Sequence, residues 1–303
     1  MRSLLPAAAV AVVAASSAAA APPLVTADWL ETRLEAPDLA VLDIRSAIDG
    51  GGAAAYREAH IPGAVHSSYT DDDWRTTQNG VPGMLPPIAD LEALVGGLGI
   101  APDDHVVIVH AGTGATDFGS AARVFWTFEQ LGHAEVSILD GGMAAWTADP
   151  SRPLARGVEA VSPVAYEAEP PAAAPLDTAD VAARVDGGAA LLDARPTDQF
   201  DGAAKHPAAT RAGHVPGAAN FPQSRWFDAS GARRDAEAVA AELPDAVASG
   251  GGEVVSYCNT GHWAATNWFM LSQVLGRENV TLYDGSMTAW TQDPERPVAT
   301  RQP

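Results

Sequence analysis

The sequence holds one cysteine, Cys258, in 303 residues. A single thiol closes no internal disulfide and cannot build a multi-thiolate metal centre, so neither staple is expected, and no metal or cofactor motif is apparent. Basic residues are scarce as well: 18 Lys and Arg stand against 38 Asp and Glu, for a formal net charge of -20. A surface of that sign argues against nucleic acid as a partner, because phosphate binding needs a basic face. A small anionic substrate meets the same repulsion and needs local arginines in the second half of the chain. Apolar runs of any length are confined to the first residues, so no membrane span is expected after them.

That first run has the pattern of a secretory signal at residues 1–20. Arg2 is its basic start, Leu4 to Ala15 its alanine- and valine-rich core, and Ala18-Ala19-Ala20 its small-residue cleavage site. It is short and alanine-rich for a membrane anchor, and no cysteine beside the cleavage site is available for lipid attachment. The expectation is an exported, periplasmic protein. The rest is 47% hydrophobic, as a packed globular chain is, and long enough for two domains.

The chain repeats itself. "AVLDIRSA" at Ala40 to Ala47 returns as "ALLDARPT" at Ala190 to Thr197, and "AHIPGAVH" at Ala59 to His66 as "GHVPGAAN" at Gly213 to Asn220. "VSILDGGMAAWTADPSRPL" at Val136 to Leu154 returns as "VTLYDGSMTAWTQDPERPV" at Val280 to Val298. The order is conserved between the halves, which reads as two homologous domains, 22–155 and 176–303. The Pro- and Ala-rich stretch between them, 156–175, reads as a linker.

Each copy alternates short apolar runs with helical segments, so the expected fold is α/β, each domain a central parallel sheet with helices on both faces. In the second copy Thr178 is a candidate helix cap. Strands are expected at Ala190 to Leu192, Val254 to Tyr257 and Val280 to Tyr283, with a helix from about Ala264. Sites in such sheets form at the carboxyl ends of strands. Cys258 lies at one such end, and Asp193 and Arg195 just past another.

The loop Cys258-Asn259-Thr260-Gly261-His262-Trp263 joins a strand to a helix start. Successive backbone N–H groups in such a turn, with Gly261 supplying unusual angles, form a nest that suits an anionic sulfur. A buried structural cysteine is the competing reading. In the first copy His110 replaces the cysteine and the loop "HAGTGATDFG" is longer, without the Gly-Lys-Ser/Thr ending of a phosphate loop. One active and one inactive copy is the simplest account. His60 and His214, which recur in both copies, read as turn-fixing residues, Trp146 and Trp290 as core, and Thr70 to Trp74 ("TDDDW") as a solvated acidic loop.

Taken together, "LDAR", "GHVPGA", the six-residue cysteine loop and "LYDGSMTAW" resemble a tandem rhodanese-domain sulfurtransferase over nearly all of the mature chain. The resemblance implies that Cys258 takes a sulfane sulfur from a small anionic donor, thiosulfate or 3-mercaptopyruvate. It then becomes a persulfide and passes the sulfur to a thiophilic acceptor such as cyanide or a thiol. It implies an inactive first domain, with Asp43 and Arg45 structural there. It assigns Arg195 to orient the donor and Asp193 to support it, and places Asn259, Thr260, Gly261, His262 and Trp263 around the substrate. The chain departs from the family in three places. Asn259 and Thr260 are neutral where thiosulfate-preferring members are basic, and "Cys-Asn-Thr-Gly" is similar to the 3-mercaptopyruvate type. Gly83 of "GMLP" stands where that type has a substrate-binding histidine. His262 and Trp263 replace small or β-branched residues, His262 as a candidate cation and Trp263 narrowing the mouth. Two other classes compete. A rhodanese-fold phosphatase or arsenate reductase needs Cys-x5-Arg, and the residue six after Cys258 is Ala264. A sulfur carrier acting on a protein partner keeps the cysteine without small-molecule turnover.

Overall fold

The computed structural model describes residues 21–248 and 251–301; the expected leader, residues 1–20, lies outside the described residues. The first repeat contributes strands β1 (Leu24–Val25), β2 (Leu39–Asp43), β3 (Val65–His66), β4 (Thr76–Gln78), β5 (Val81–Met84), β6 (His105–Val109) and β7 (Val136–Leu139). The second contributes β8 (Ala190–Asp193), β9 (Ala219–Asn220), β10 (Val254–Tyr257) and β11 (Val280–Leu282). The two main sheets run β1-β7-β6-β2-β3 and β11-β10-β8-β9, and every pairing within them is parallel. A separate antiparallel hairpin, β4–β5, projects from the first repeat. The central strands β6 and β10 are apolar and β-branched because helices cover both their faces.

Two helices in equivalent positions join the repeats. Ala115–Gln130 follows β6 and His262–Phe269 follows β10, the latter continuing into a π-helical turn, Met270–Val274. Both are buried on nearly every face, because each has its own sheet on one side and the other helix across from it. Phe125 meets Phe269 edge-on with ring centroids 5.0 Å apart, and one continuous apolar core runs through both repeats. The cysteine loop at the start of the second helix therefore faces residues of the first repeat.

Local details differ from the expectations in small ways. Asp177, not Thr178, caps the helix Thr178–Asp186, because its carboxylate reaches the N–H of Asp180 at 2.8 Å; the Thr178 hydroxyl pairs with that of Tyr283 instead. Strand β8 extends to Asp193, and β11 ends at Leu282. The segment read as a linker is pinned to the first repeat, Val164 N–H on the Gly96 carbonyl and Glu169 N–H on that of Leu131. His60 and His214 each give one ring nitrogen to a carbonyl, of Tyr56 and Phe200, and each bridges to the end of its own repeat, at Ala155 and Ala299. Trp146 and Trp290 are core residues whose indole N–H groups bond the carbonyls of Pro153 and Pro297. In the acidic loop, Asp71 and Asp72 accept from the Ser68 hydroxyl and N–H, and Trp74 is buried. No group of residues placed to hold a metal ion occurs among the described residues.

Candidate active site

Cys258 is the first residue after β10. Its side chain is 2% exposed and faces a cavity of about 200 Å³. The loop contributes Cys258, Asn259, Thr260, His262 and Trp263 to the cavity wall; Ile48, Arg75 and Thr116 come from the first repeat and His206 from the second. Gly261 has φ +75°, a left-handed conformation that turns the chain sharply into the helix. The helix therefore starts at His262, two residues before the expected Ala264, and His262 and Trp263 form its first turn.

The loop is held from below. The N–H groups of Cys258 and Gly261 both bond the Ser286 hydroxyl oxygen, at 3.0 and 3.2 Å. The Asn259 carbonyl accepts from the N–H and hydroxyl of Thr288, and its side-chain amide donates to Gln199 Oε1 at 2.8 Å. The N–H groups of Asn259, Thr260 and His262 have no partner among the described residues. These three donors follow Cys258 in its own loop, with a helix start behind them, which is the arrangement an anion nest requires.

Arg195 does not reach this cavity. It is 2% exposed, folds back bidentate onto Asp193 and gives its last reach to the Gly213 carbonyl at 2.8 Å. Arg45 does the same with Asp43 and the Ala59 carbonyl in the first repeat. The expected role of Arg195 as the donor-orienting cation is thus corrected: its charge is spent on a carboxylate that ties the strand end to the following turn. Asp193 is the other half of that clamp. The guanidinium that lines the cavity belongs to Arg75, on the hairpin side of the first repeat. Its Nη2 bonds the Thr260 carbonyl at 2.7 Å and its Nε the Gly83 carbonyl at 3.2 Å. A side chain at Gly83 would start 1.9 Å from Arg75 Nη2, so the missing histidine of "GMLP" and the presence of Arg75 are one arrangement.

His262 is not a cation. Burial first, and then the charges of Arg75 and Arg123, hold its pKa down at about 3. Its Nε2 lies 2.9 Å from the Thr116 carbonyl, which only accepts, so that nitrogen carries the proton. Nδ1 then accepts from the Tyr69 hydroxyl at 2.8 Å, a phenol kept protonated chiefly by burial. His262 lines the cavity as a neutral strut between the repeats. Trp263 is a wall shared with a neighbouring cavity of about 330 Å³, and its indole N–H is buried without a partner among the described residues.

The equivalent loop of the first repeat is closed by its own chain. Its His110 carbonyl accepts from Met143 N–H, as the Cys258 carbonyl does from Met287 N–H, which fixes the correspondence. The Asp117 carboxylate sits in the loop and accepts from the N–H groups of Gly112, Thr113 and Gly114 at 2.7, 3.0 and 3.2 Å. Burial works against that charge, yet the His110 contact and the amides outweigh it and lower the Asp117 pKa. A resident carboxylate fills the nest that stays open around Cys258.

Arg75, Ile48, Thr116, His206 and Tyr69 were not singled out from the sequence. Most lie in the other repeat, and no spacing within a motif points to them; for Arg75 the available signal was a basic residue directly after the acidic run ending at Trp74.

A parallel α/β domain with a cysteine-headed anion nest at a strand's carboxyl end, present twice and intact once, defines a class of sulfur-handling domains. The Rhodanese-like domain family matches residues 26–149 and again 177–293, and the chain belongs to that family. It is 36% identical over 290 residues to a probable 3-mercaptopyruvate sulfurtransferase of Pseudomonas aeruginosa, covering 91% of this chain and 98% of that one. It is 34% identical over 277 residues to a thiosulfate sulfurtransferase of the same organism, covering 89% and 94%. The fold is similar to that of the 3-mercaptopyruvate sulfotransferase SseA from Escherichia coli, with TM-score 0.72, 27% identity, and 88% and 98% of the two chains covered.

Proposed function

We propose that the protein is a sulfurtransferase that moves one sulfane sulfur from a small anionic donor, thiosulfate or 3-mercaptopyruvate, through a Cys258 persulfide to a thiophilic acceptor. The observation that carries this reading is the sole thiol lying in one cavity with three unengaged loop amides. The Cys258 thiolate attacks the outer sulfur of thiosulfate; the S–S bond breaks and sulfite leaves with the electron pair. With 3-mercaptopyruvate the C–S bond breaks, the pair stays on carbon as the pyruvate enolate, and a proton completes pyruvate. The terminal sulfur of the persulfide is anionic, and the unengaged amides of Asn259, Thr260 and His262 in the same loop are the donors available to it. Cyanide or a thiolate then attacks that sulfur, and Cys258 leaves as thiolate. Atoms and charge return to the start, and no cofactor enters the cycle. The first repeat has no nucleophile and its nest holds Asp117, so turnover belongs to the second repeat.

Export to the periplasm forms part of the proposal and is supported by the pattern of residues 1–20. No helix among the described residues is long and apolar enough to cross a membrane. Thiocyanate formation from each donor and cyanide, with both concentrations varied, tests the mechanism: parallel double-reciprocal lines and no turnover in Cys258→Ser are expected. Intersecting lines, or turnover that survives the substitution, contradict it.

A further inference from the structure

We infer that the anionic end of the donor is held by Arg75, so that the repeat without a nucleophile contributes the anion subsite of the one catalytic cavity. The inference rests on the sulfur-transfer reading above. Arg75 is the charged residue of the cavity wall: the other lining groups are neutral, including His206 and His262, whose protonation burial disfavours. On a chain of net charge -20 that guanidinium is the positive group lining the cavity itself.

Its charge is also unspent. Arg45, Arg123, Arg195 and Arg233 each face a carboxylate, of Asp43, Asp284, Asp193 and Asp140. Arg75 faces two carbonyls, which fix its plane without neutralising it. Among the described residues Nη1 has no hydrogen-bond partner of normal geometry, and apart from the guanidinium's influence on the Tyr69 phenol it is left for a ligand. The bond to the Thr260 carbonyl ties the cation to the nucleophile's own loop, and the guanidinium also lies over the Tyr69 ring, 5.7 Å from its centroid. Gly83 is required for this placement, since any side chain there meets Arg75 Nη2. The ligand class is a small oxyanion attached to the sulfur to be transferred, a sulfonate-like or carboxylate group, with the sulfur directed at Cys258 and the oxygens at Nη1.

Two probes of nearly equal size separate charge recognition from loop integrity: iodoacetate and uncharged iodoacetamide, each alkylating Cys258. Their second-order rates are measured on the full chain beside the rate of persulfide formation from thiosulfate. Arg75→Gln is expected to slow iodoacetate and thiosulfate by about 10- to 100-fold, the worth of one charge-assisted hydrogen bond, and to leave iodoacetamide little changed. Arg75→Lys retains part of the anion rate. An unchanged ratio of iodoacetate to iodoacetamide rates overturns the inference, and so does an equal loss with both, which is the mark of a merely structural residue. A wild-type protein that takes no sulfur from either donor overturns the sulfur-transfer reading instead. The alkylation ratio then still decides whether Arg75 forms an anion subsite.

Discussion

Ser286 holds Cys258 in place: its hydroxyl oxygen accepts the Cys258 N–H at 3.0 Å and the Gly261 N–H at 3.2 Å, and its proton goes to the Tyr283 carbonyl at 2.8 Å. The bonds are buried, and Ser286 holds φ +47° to make them. Ser286→Ala leaves two buried donors unpaired and keeps the unfavourable angle. A loss of about 1–3 kcal/mol is expected for unsatisfied groups of this kind, with slower persulfide formation because the loop loosens. Urea unfolding and the half-reaction rate check this; wild-type stability in the variant contradicts the bracing role.

A second brace crosses between the repeats. Arg123 and Asp284 form a fully buried ion pair at 2.5 Å, and Asp284 also accepts the Leu85 N–H at 2.6 Å. Gly261 lies against this pair, where a Cβ would come 2.3 Å from Arg123 Nη1. Arg123→Met or Asp284→Leu alone strands a buried charge and is expected to cost about 3–5 kcal/mol, while the double variant recovers much of the loss. A double-mutant cycle with denaturant unfolding measures the coupling; additive losses contradict the pairing.

Asp117 tests the account of the inactive repeat. Its lowered pKa means that the stability it contributes is complete above its unfolded value near ~3.9 and is lost as pH falls through the folded value. Asp117→Asn is expected to reduce stability at neutral pH and to flatten the acid limb of the stability curve. Thermal melts between pH 2 and pH 7, a window about the carboxylate range, show it. Sulfur transfer at Cys258 remains, because the site it closes is the other one.

Two groups, one buried and one half-buried, give opposite slopes of stability with pH. His262 is neutral when folded, with a pKa of about 3, while the unfolded chain protonates it near ~6.5. Its share of stability is therefore present above that value and declines as pH falls toward the folded one. Glu129, whose carboxylate accepts from Gln273 at 2.7 Å, is raised to about 7 by burial, which that bond only partly offsets. Its protonated form is favoured when folded, so its share is present at low pH and is lost as pH rises toward neutrality. Glu129→Gln is expected to raise stability at pH 8 relative to wild type, and His262→Gln to weaken the decline below pH 6; unchanged pH profiles contradict both assignments.

The sequence was most legible where it repeats. Paired motifs gave the two parallel sheets, and the break in one pair, Cys258 against His110, marked the working loop. The same comparison carried a warning about Arg195: Arg45 recurs in the repeat without a thiol, as His60 does, and a residue common to both copies serves the fold. The Asp-x-Arg spacing lets the guanidinium close onto its own aspartate, with the Arg195 N–H on Asp193 Oδ1 at 3.0 Å as well. Arg75 was illegible for a different reason. Its bond to Thr260 spans 185 residues, and the packing of the two repeats, led by the Ala115–Gln130 and His262–Phe269 helices, brings those chain segments together. Asp117 was hidden because an acidic residue opening a helix reads as ordinary capping until its carboxylate is found in the loop.

The central claim is the persulfide on Cys258, and intact mass tests it most directly. The purified protein is mixed with thiosulfate, and separately with 3-mercaptopyruvate, and weighed before and after cyanide. The account predicts a gain of one sulfur, about 32 Da, removed by cyanide and absent in Cys258→Ser. No gain with either donor, or a gain that persists in Cys258→Ser, would contradict it.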